Sequence, residues 1–94
     1  MIRREGRKLM LSGPVTLANA ARVLAEGRQH LAEGARTVDL GEVTDLDSSL
    51  LALALAWARD ARAEKRELAF ANIPEALQTL SRLYGVEALL PLGS

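Results

Sequence analysis

The fold of this protein is decided by a stretch in the middle of the chain, TVDLGEVTDLDSSLLALAL, residues 37–55. Val38 and Leu40 lie on one face of a short strand pattern, which Gly41 bounds. A polar segment, TDLDSS, follows and leads into an apolar run. Asp47 or Ser48 can accept a hydrogen bond from a free backbone N–H, so either residue is suited to begin a helix. The stretch therefore predicts a strand, a polar loop and a helix.

The residues before this stretch predict two strands and a helix. Residues 7–12, RKLMLS, alternate in polarity and stop at Gly13-Pro14. Residues 1–4 can pair with them as an edge strand. The next helix has Thr16 as its N-cap and Gly34 as the residue after its end. Its apolar side consists of Leu17, Ala20, Ala21, Leu24, Gly27 and Leu31.

The residues after the stretch continue the alternation. The second helix extends to about Glu64, residues 67–71 have a strand pattern, and residues 72–74 open a third helix that Gly85 ends. The apolar side of this helix consists of Ile73, Leu77, Leu80 and Tyr84, and the apolar tail that follows includes Leu90 and Pro91. Strands that alternate with helices predict an α/β fold with a small, mostly parallel sheet, an N-terminal edge strand and right-handed crossovers.

Composition indicates a folded protein and argues against several partners. Apolar residues make up 49% of the 94 residues and charged residues 26%, which suits one globular domain over residues 1–94. Lysine plus arginine equals aspartate plus glutamate at twelve each, so no net field attracts nucleic acid or an anionic membrane. The chain has no cysteine, no signal-like start and no apolar run long enough to cross a membrane. We therefore expect a cytoplasmic protein.

Motifs for catalysis or cofactor binding are absent from the sequence. No GxxxxGK[ST] or GxGxxG motif occurs, so no nucleotide cofactor is expected. The single histidine, His30, is predicted to be a solvated residue on the first helix, and without a second His or Cys no metal site is expected. Ser48 and Ser49 have no histidine or lysine close in sequence to act as a base. Paired acids such as Asp45 and Asp47 could act as acid and base in a cleft, but we predict that the protein is not an enzyme.

The second helix has no polar stripe along its first turns, since LLALALAWA, residues 50–58, contains no polar residue. Four residues are expected to face the sheet: Leu50, Ala54, Trp57 and Ala61. Leu51 and Leu55 then form an apolar ridge beside a polar rim of Asp45, Ser48 and Arg59, which predicts a protein partner. The alternative is that neighbouring helices cover the ridge. A phosphate on Ser48 would lie at the positive end of the helix, so Ser48 is also a candidate switch site.

Several short motifs in the chain are shared with one known family. Their residues are Val38-Asp39-Leu40, Val43, Leu46-Asp47-Ser48-Ser49 and Leu51-Ala52-Leu53. In this order they resemble the V-D-L strand, spacer and D-S/T helix start of STAS domains. That fold occurs in bacterial anti-sigma-factor antagonists and in the small cytoplasmic subunit of the Mla phospholipid-transport ABC system. Residues 11–13 (LSG), 80–86 (LSRLYGV) and 90–91 (LP) look more like the Mla branch.

The resemblance implies two alternative functions. In the preferred one, the chain is a non-enzymatic subunit that binds a cytoplasmic ABC ATPase and meets the membrane only through that complex. The implied contact residues are Asp45, Asp47, Ser48, Ser49, Leu51 and Leu55. In the alternative, the chain is an anti-sigma-factor antagonist that binds a kinase and is regulated by phosphorylation of Ser48. Regulators usually have Gly shortly after the phosphosite, so the bulk of Leu50 favours the first function. Neither function implies a cofactor or a metal.

Overall fold

The computed structural model describes residues 1–90, which form a four-stranded sheet and three α-helices. In chain order the elements are β1 (Ile2–Glu5), β2 (Lys8–Val15), α1 (Ala20–Ala32), β3 (Thr37–Leu46), α2 (Ser48–Ala63), β4 (Ala69–Ala71), α3 (Glu75–Leu83) and a 3₁₀ turn (Glu87–Leu89). The strand order is β1-β2-β3-β4; β1 is antiparallel to β2, and the other pairs are parallel. The predicted α/β fold with an N-terminal edge strand is therefore confirmed.

Strand β2 is longer than its sequence pattern predicts. It continues through Gly13-Pro14 to Val15, so the predicted stop at this pair is wrong. The pairing with β3 shifts register between Met10 and Ser12 and again between Gly13 and Pro14. Gly13 has a φ of +78°, which glycine adopts without strain. Such an irregularity lets the strand pass a proline, which has no N–H to donate to a regular ladder.

Strand β3 also passes the glycine that was predicted to bound it. The strand continues beyond Gly41 to Leu46. Asp39 is buried, and its Oδ1 accepts hydrogen bonds from the Gly41 N–H at 2.8 Å and from Asn72 Nδ2 at 3.1 Å. A Cβ on Gly41 would lie 3.1 Å from that same oxygen. Glycine at this position therefore makes room for the buried carboxylate and does not end the strand.

Helix α1 begins later than predicted, at Ala20 with Asn19 as its N-cap, so Thr16 is not the cap. Thr16 and Asn19 instead close a turn, because the Thr16 N–H donates to Asn19 Oδ1 at 3.0 Å and the Asn19 N–H donates to the Thr16 carbonyl at 3.1 Å. Leu17 therefore lies outside the helix. The buried residues of α1 are Val23, Gly27 and Leu31. Gly34 follows the C-cap with a φ of +118°, as predicted.

Helix α2 lies between α1 and α3 and supplies the centre of the core. The four residues predicted to face the sheet are all buried: Leu50, Ala54, Trp57 and Ala61. Trp57 is fully buried, and its Nε1 donates a hydrogen bond to the Leu24 carbonyl at 3.2 Å. A Cβ added at Gly27 would lie 2.6 Å from Trp57 Cε2. Gly27 therefore lets the indole ring pack directly on the backbone of α1.

Helix α3 buries Leu77 and Ser81, whereas Tyr84 is exposed, so the prediction that Tyr84 lies on the apolar side is wrong. Tyr84 is the C-cap at the end of α3, and Gly85 follows with a φ of +69°. Leu90 is buried against the core, and Pro91 lies outside the described residues. Among residues 1–90, every helix is too short or too polar to span a lipid bilayer.

Candidate functional site

Asp47 joins the start of α2 to the loop that precedes α1. Its Oδ1 accepts a hydrogen bond from the Ser49 N–H at 2.8 Å, which makes it the N-cap of α2. Its Oδ2 accepts a second one from the Leu17 N–H at 3.0 Å. These two donors, the Leu17 N–H above all, lower the pKa of the Asp47 carboxyl because they stabilise its charged form. One carboxylate thus holds two segments together.

The loop before α1 presents Leu17 to solvent in a fixed position. Asn19 Nδ2 donates to the Pro14 carbonyl at 2.9 Å, and the Ala18 N–H donates to Thr16 Oγ1 at 3.3 Å. Together with the hydrogen bond from the Leu17 N–H to Asp47, these bonds hold the loop in place. The Leu17 side chain is nevertheless 80% exposed. An exposed leucine on an ordered loop is available for contact without a large cost of ordering.

The polar residues that the sequence singles out occupy different environments. Ser48 is exposed, and its hydroxyl makes no hydrogen bond with residues 1–90. Ser49 is half-buried in the first turn of α2. Asp45 is exposed, and its Oδ1 accepts from the Leu46 N–H at 2.9 Å. Ser48 is therefore the most accessible hydroxyl at this end of the helix.

The predicted ridge of Leu51 and Leu55 does not form an exposed surface. Leu51 is only 4% exposed and belongs to the core, and Leu55 is half-buried against it. The reason is the position of α2 between two helices, which cover both flanks of its apolar face. For Leu51, the alternative that neighbouring helices cover the ridge is therefore correct. The outward side of α2 instead carries Ala52 and Arg59.

A shallow groove lies between the first turns of α1 and α2. Its volume is about 200 Å³. The residues that line it are Ala20, Ala21, Leu24, Ser49, Ala52 and Leu53. We refer to this groove together with Leu17, Asp45 and Ser48 as the Ser48 surface. Sequence reasoning missed the part that Leu17 and α1 contribute; the available signal was Asn19, a residue type that is as common as threonine at the start of a helix.

The Ser48 surface combines apolar side chains with the exposed polar side chains of Asp45 and Ser48. His30 lies in the last turn of α1, so it is about 9 Å along the helix from Leu24, the nearest residue of the groove on that helix. It is half-buried, with a buried Nδ1 that has no partner in residues 1–90, so the prediction of a solvated side chain is wrong. The Asp47 carboxylate is committed to two backbone N–H groups. Residues 1–90 contain no group of three potential metal ligands.

Comparison with protein families decides the relationship of the chain. Residues 2–91 match the family described as "Mlab, STAS domain". The chain belongs to the STAS-domain family. Domains of this family generally mediate protein–protein interactions. A comparison with curated proteins gives no match.

Several solved structures share the fold of this domain. The STAS domain has a TM-score of 0.71 to the anti-sigma-factor antagonist SpoIIAA in its unphosphorylated form, with 16% identity, over 100% of this chain and 87% of that one. It has a TM-score of 0.68 to the phosphorylated form of the Bacillus cell-fate determinant SpoIIAA, with 16% identity over 100% and 90%. A putative anti-sigma-factor antagonist from Thermotoga maritima gives 0.75, with 13% identity over 98% and 83%.

Proposed function

We propose that this STAS domain is a non-enzymatic subunit that binds the ATPase of an Mla-type phospholipid-transport ABC complex through the Ser48 surface. The observation that carries the proposal is Leu17, an apolar side chain held in solvent beside Ser48 by the Asp47 carboxylate. The match of residues 2–91 to an MlaB-type family supports the choice of partner.

The contact that we propose differs from the one expected from sequence. Leu51 is a buried residue of α2, so it supports the surface from inside. The half-buried Leu55 does so in part. Leu17, Ala21 and Ala52 are the exposed apolar residues there, and Asp45 and Ser48 form the polar edge. Covering one leucine completely is worth about 1.5–3 kcal/mol, which is enough for a single anchor residue.

A pull-down from the native cell tests this proposal. The tagged wild-type domain should retain the ATPase, and Leu17→Glu and Ala52→Glu should each lose it, since both place a charge in a desolvated contact. Leu83→Glu is the matched control, because Leu83 is 74% exposed on α3 and lies outside the Ser48 surface. Retention of the ATPase by both surface variants, with all three proteins folded, would contradict the proposed contact.

A second candidate function is supported by the exposure of Ser48. Its hydroxyl is accessible at the N-terminus of a sixteen-residue helix, where the backbone favours an added phosphate. Leu50, whose bulk is expected to favour the first function, has its side chain fully buried in the core, and Ser48 nearby is exposed. The chain would then act as an anti-sigma-factor antagonist that phosphorylation of Ser48 releases from its kinase.

Phosphate transfer distinguishes the second candidate from the first. A partner kinase should label the wild type and Ser49→Ala but not Ser48→Ala, because Ser49 is half-buried. Labelling that is unchanged in Ser48→Ala would exclude Ser48 as the switch. Recovery of an ATPase and no kinase in the pull-down would favour the transport function.

A further inference from the structure

A second feature lies at the far end of α2 from Ser48. A cavity of about 760 Å³ opens between the last turns of α2, the first residues of β3 and β4, and the 3₁₀ turn. Its floor includes Thr37 and Ala69, the first residues of those two strands. Its size is in the range of small-molecule sites, which occupy about 300–1,000 Å³.

The charge at this cavity differs sharply from that of the whole chain. Four arginines line it: Arg7, Arg36, Arg62 and Arg66. Glu67 is the one carboxylate in the lining, so the lining carries four positive charges and one negative, a net of +3, in a chain whose formal charge is +0. A concentration of one sign of charge in a concave surface raises the local concentration of ions of the opposite sign.

Two of these arginines have a structural role that leaves part of each guanidinium available. Arg36 Nη1 donates to the Leu31 carbonyl at 3.2 Å and to the Ala35 carbonyl at 2.8 Å, at the end of α1. Arg66 Nη2 lies 3.8 Å from a carboxylate oxygen of Glu64. The hydrogen bonds fix the Arg36 side chain and the Arg66 side chain is largely buried, so binding an anion costs either one less conformational entropy than it would cost a free side chain.

The other two arginines of the lining, Arg7 and Arg62, make no comparable structural contact within residues 1–90. Arg7 and Arg62 are exposed, and neither makes an ion pair within residues 1–90. Arg62 lies in the last turn of α2, where a cation also stabilises the helix, but Arg7 lies in the connection between β1 and β2. Three segments that are distant in sequence, around residues 7, 36 and 62–66, therefore bring guanidinium groups to one cavity.

Apart from Thr37, the remaining lining is apolar and provides a second kind of contact. It consists of Ala58, Ala61, Leu68, Ala69, Ala88 and Leu89. A bare inorganic anion would use the arginines but not this surface, and an apolar ligand would leave the arginines unpaired. The lining therefore matches a molecule with an anionic group on an apolar body.

We propose that this cavity binds a small organic phosphate ester, with the arginines on the phosphate and the apolar lining against the rest of the molecule. The guanidinium group presents paired N–H donors that match phosphate oxygens. A nucleotide and a phospholipid headgroup share this chemistry. The site is at the other end of α2 from the Ser48 surface, so it is independent of the proposed function.

Titration of the purified full chain tests the proposal with three probes: adenosine 5′-monophosphate, dihexanoyl phosphatidic acid and inorganic phosphate. At least one ester should bind more tightly than inorganic phosphate, and amide resonances around residues 36 and 66–69 should shift. Arg7→Gln combined with Arg62→Gln should weaken ester binding at least about tenfold. Arg22→Gln combined with Arg82→Gln removes the same charge from exposed positions elsewhere and should change it less than about threefold.

Each outcome of the titration either supports or contradicts the proposed phosphate-ester site. Binding of the nucleotide or of the lipid supports the site and identifies which source of phosphate it takes. Failure of both esters to bind, equal weakening in the two double variants, or resonance shifts confined to the Ser48 surface would overturn the proposal. If the first double variant melts at a lower temperature than wild type, Arg62→Gln alone is titrated with the same expectation.

Discussion

Replacing Gly27 by alanine tests the packing of Trp57 on α1, because two effects predict opposite signs. Helix propensity alone favours Gly27→Ala by about 1 kcal/mol. The new Cβ would lie 2.6 Å from Trp57 Cε2 and closer still to Cζ2, and the ring is fully buried. Overpacking costs about 1–3 kcal/mol. Loss of the indole bond to the Leu24 carbonyl leaves a buried donor unpaired, at about 1–3 kcal/mol.

The sum of these terms is a loss of about 1–5 kcal/mol in the free energy of unfolding. For a domain of this size each kcal/mol lowers the melting temperature by about 4–8 °C. Urea denaturation followed by circular dichroism measures the loss. Trp57 is the only tryptophan in the chain, so its fluorescence reports directly on displacement of the ring.

Two further variants separate packing from propensity. Ala25→Gly, at an exposed position of α1, should cost about 1 kcal/mol without changing the fluorescence. In a Trp57→Phe background, which lacks the outer indole atoms, Gly27→Ala should cost less than in the wild type. A Gly27→Ala variant that is more stable than wild type, with unchanged emission, would refute the packing argument.

Burial and the cap of α2 give two more predictions. Leu51→Ala should lower the free energy of unfolding by about 2–5 kcal/mol as a core truncation. Leu24→Ala should lower it by less, because Leu24 is half-buried at the groove. Equal losses for the two variants in urea denaturation would show that the groove is closed. The Leu17 and Ser49 N–H groups hold the pKa of Asp47 below its ordinary value near 4. The contribution of Asp47 to stability is therefore fully present above that value and is lost as the pH falls through the lower, folded-state pKa. Asp47→Asn should reduce the fall in stability on acidification, and an unchanged acid titration would contradict this role.

The elements themselves could be predicted because their signals are local. The alternation of Leu9 and Leu11, the strand face of Val38 and Leu40, and the sheet-facing side of α2 follow from period and polarity, and the core confirms them. The glycine ends of α1 and α3 are also local, since a positive φ favours glycine.

The start of α1 and the end of β3 were predicted wrongly, because each has two possible interpretations in the sequence. Thr16 and Asn19 can both cap a helix, and the selection of Asn19 moves Leu17 from the core to the surface. Gly41 looks like a strand end in the sequence. Its actual role is to leave space for the buried Asp39 carboxylate, which depends on a tertiary hydrogen bond from Asn72.

The functional surfaces were the least predictable features, because they depend on tertiary contacts. Burial of Leu51 requires the helices on both sides of α2, which no periodicity in that helix alone reports. The arginine cavity is assembled from three segments, around residues 7, 36 and 62–66, which only the tertiary fold brings together.

The lengths of the strands have a consequence for solubility. The two outer strands have only four and three residues, whereas the two inner strands have eight and ten. Unpaired backbone groups at a sheet edge can recruit a second chain, and short or charged edge strands limit that risk. Arg3 and Glu5 are exposed on β1 and form an ion pair at 2.9 Å. The sheet thus offers little template for edge-to-edge aggregation.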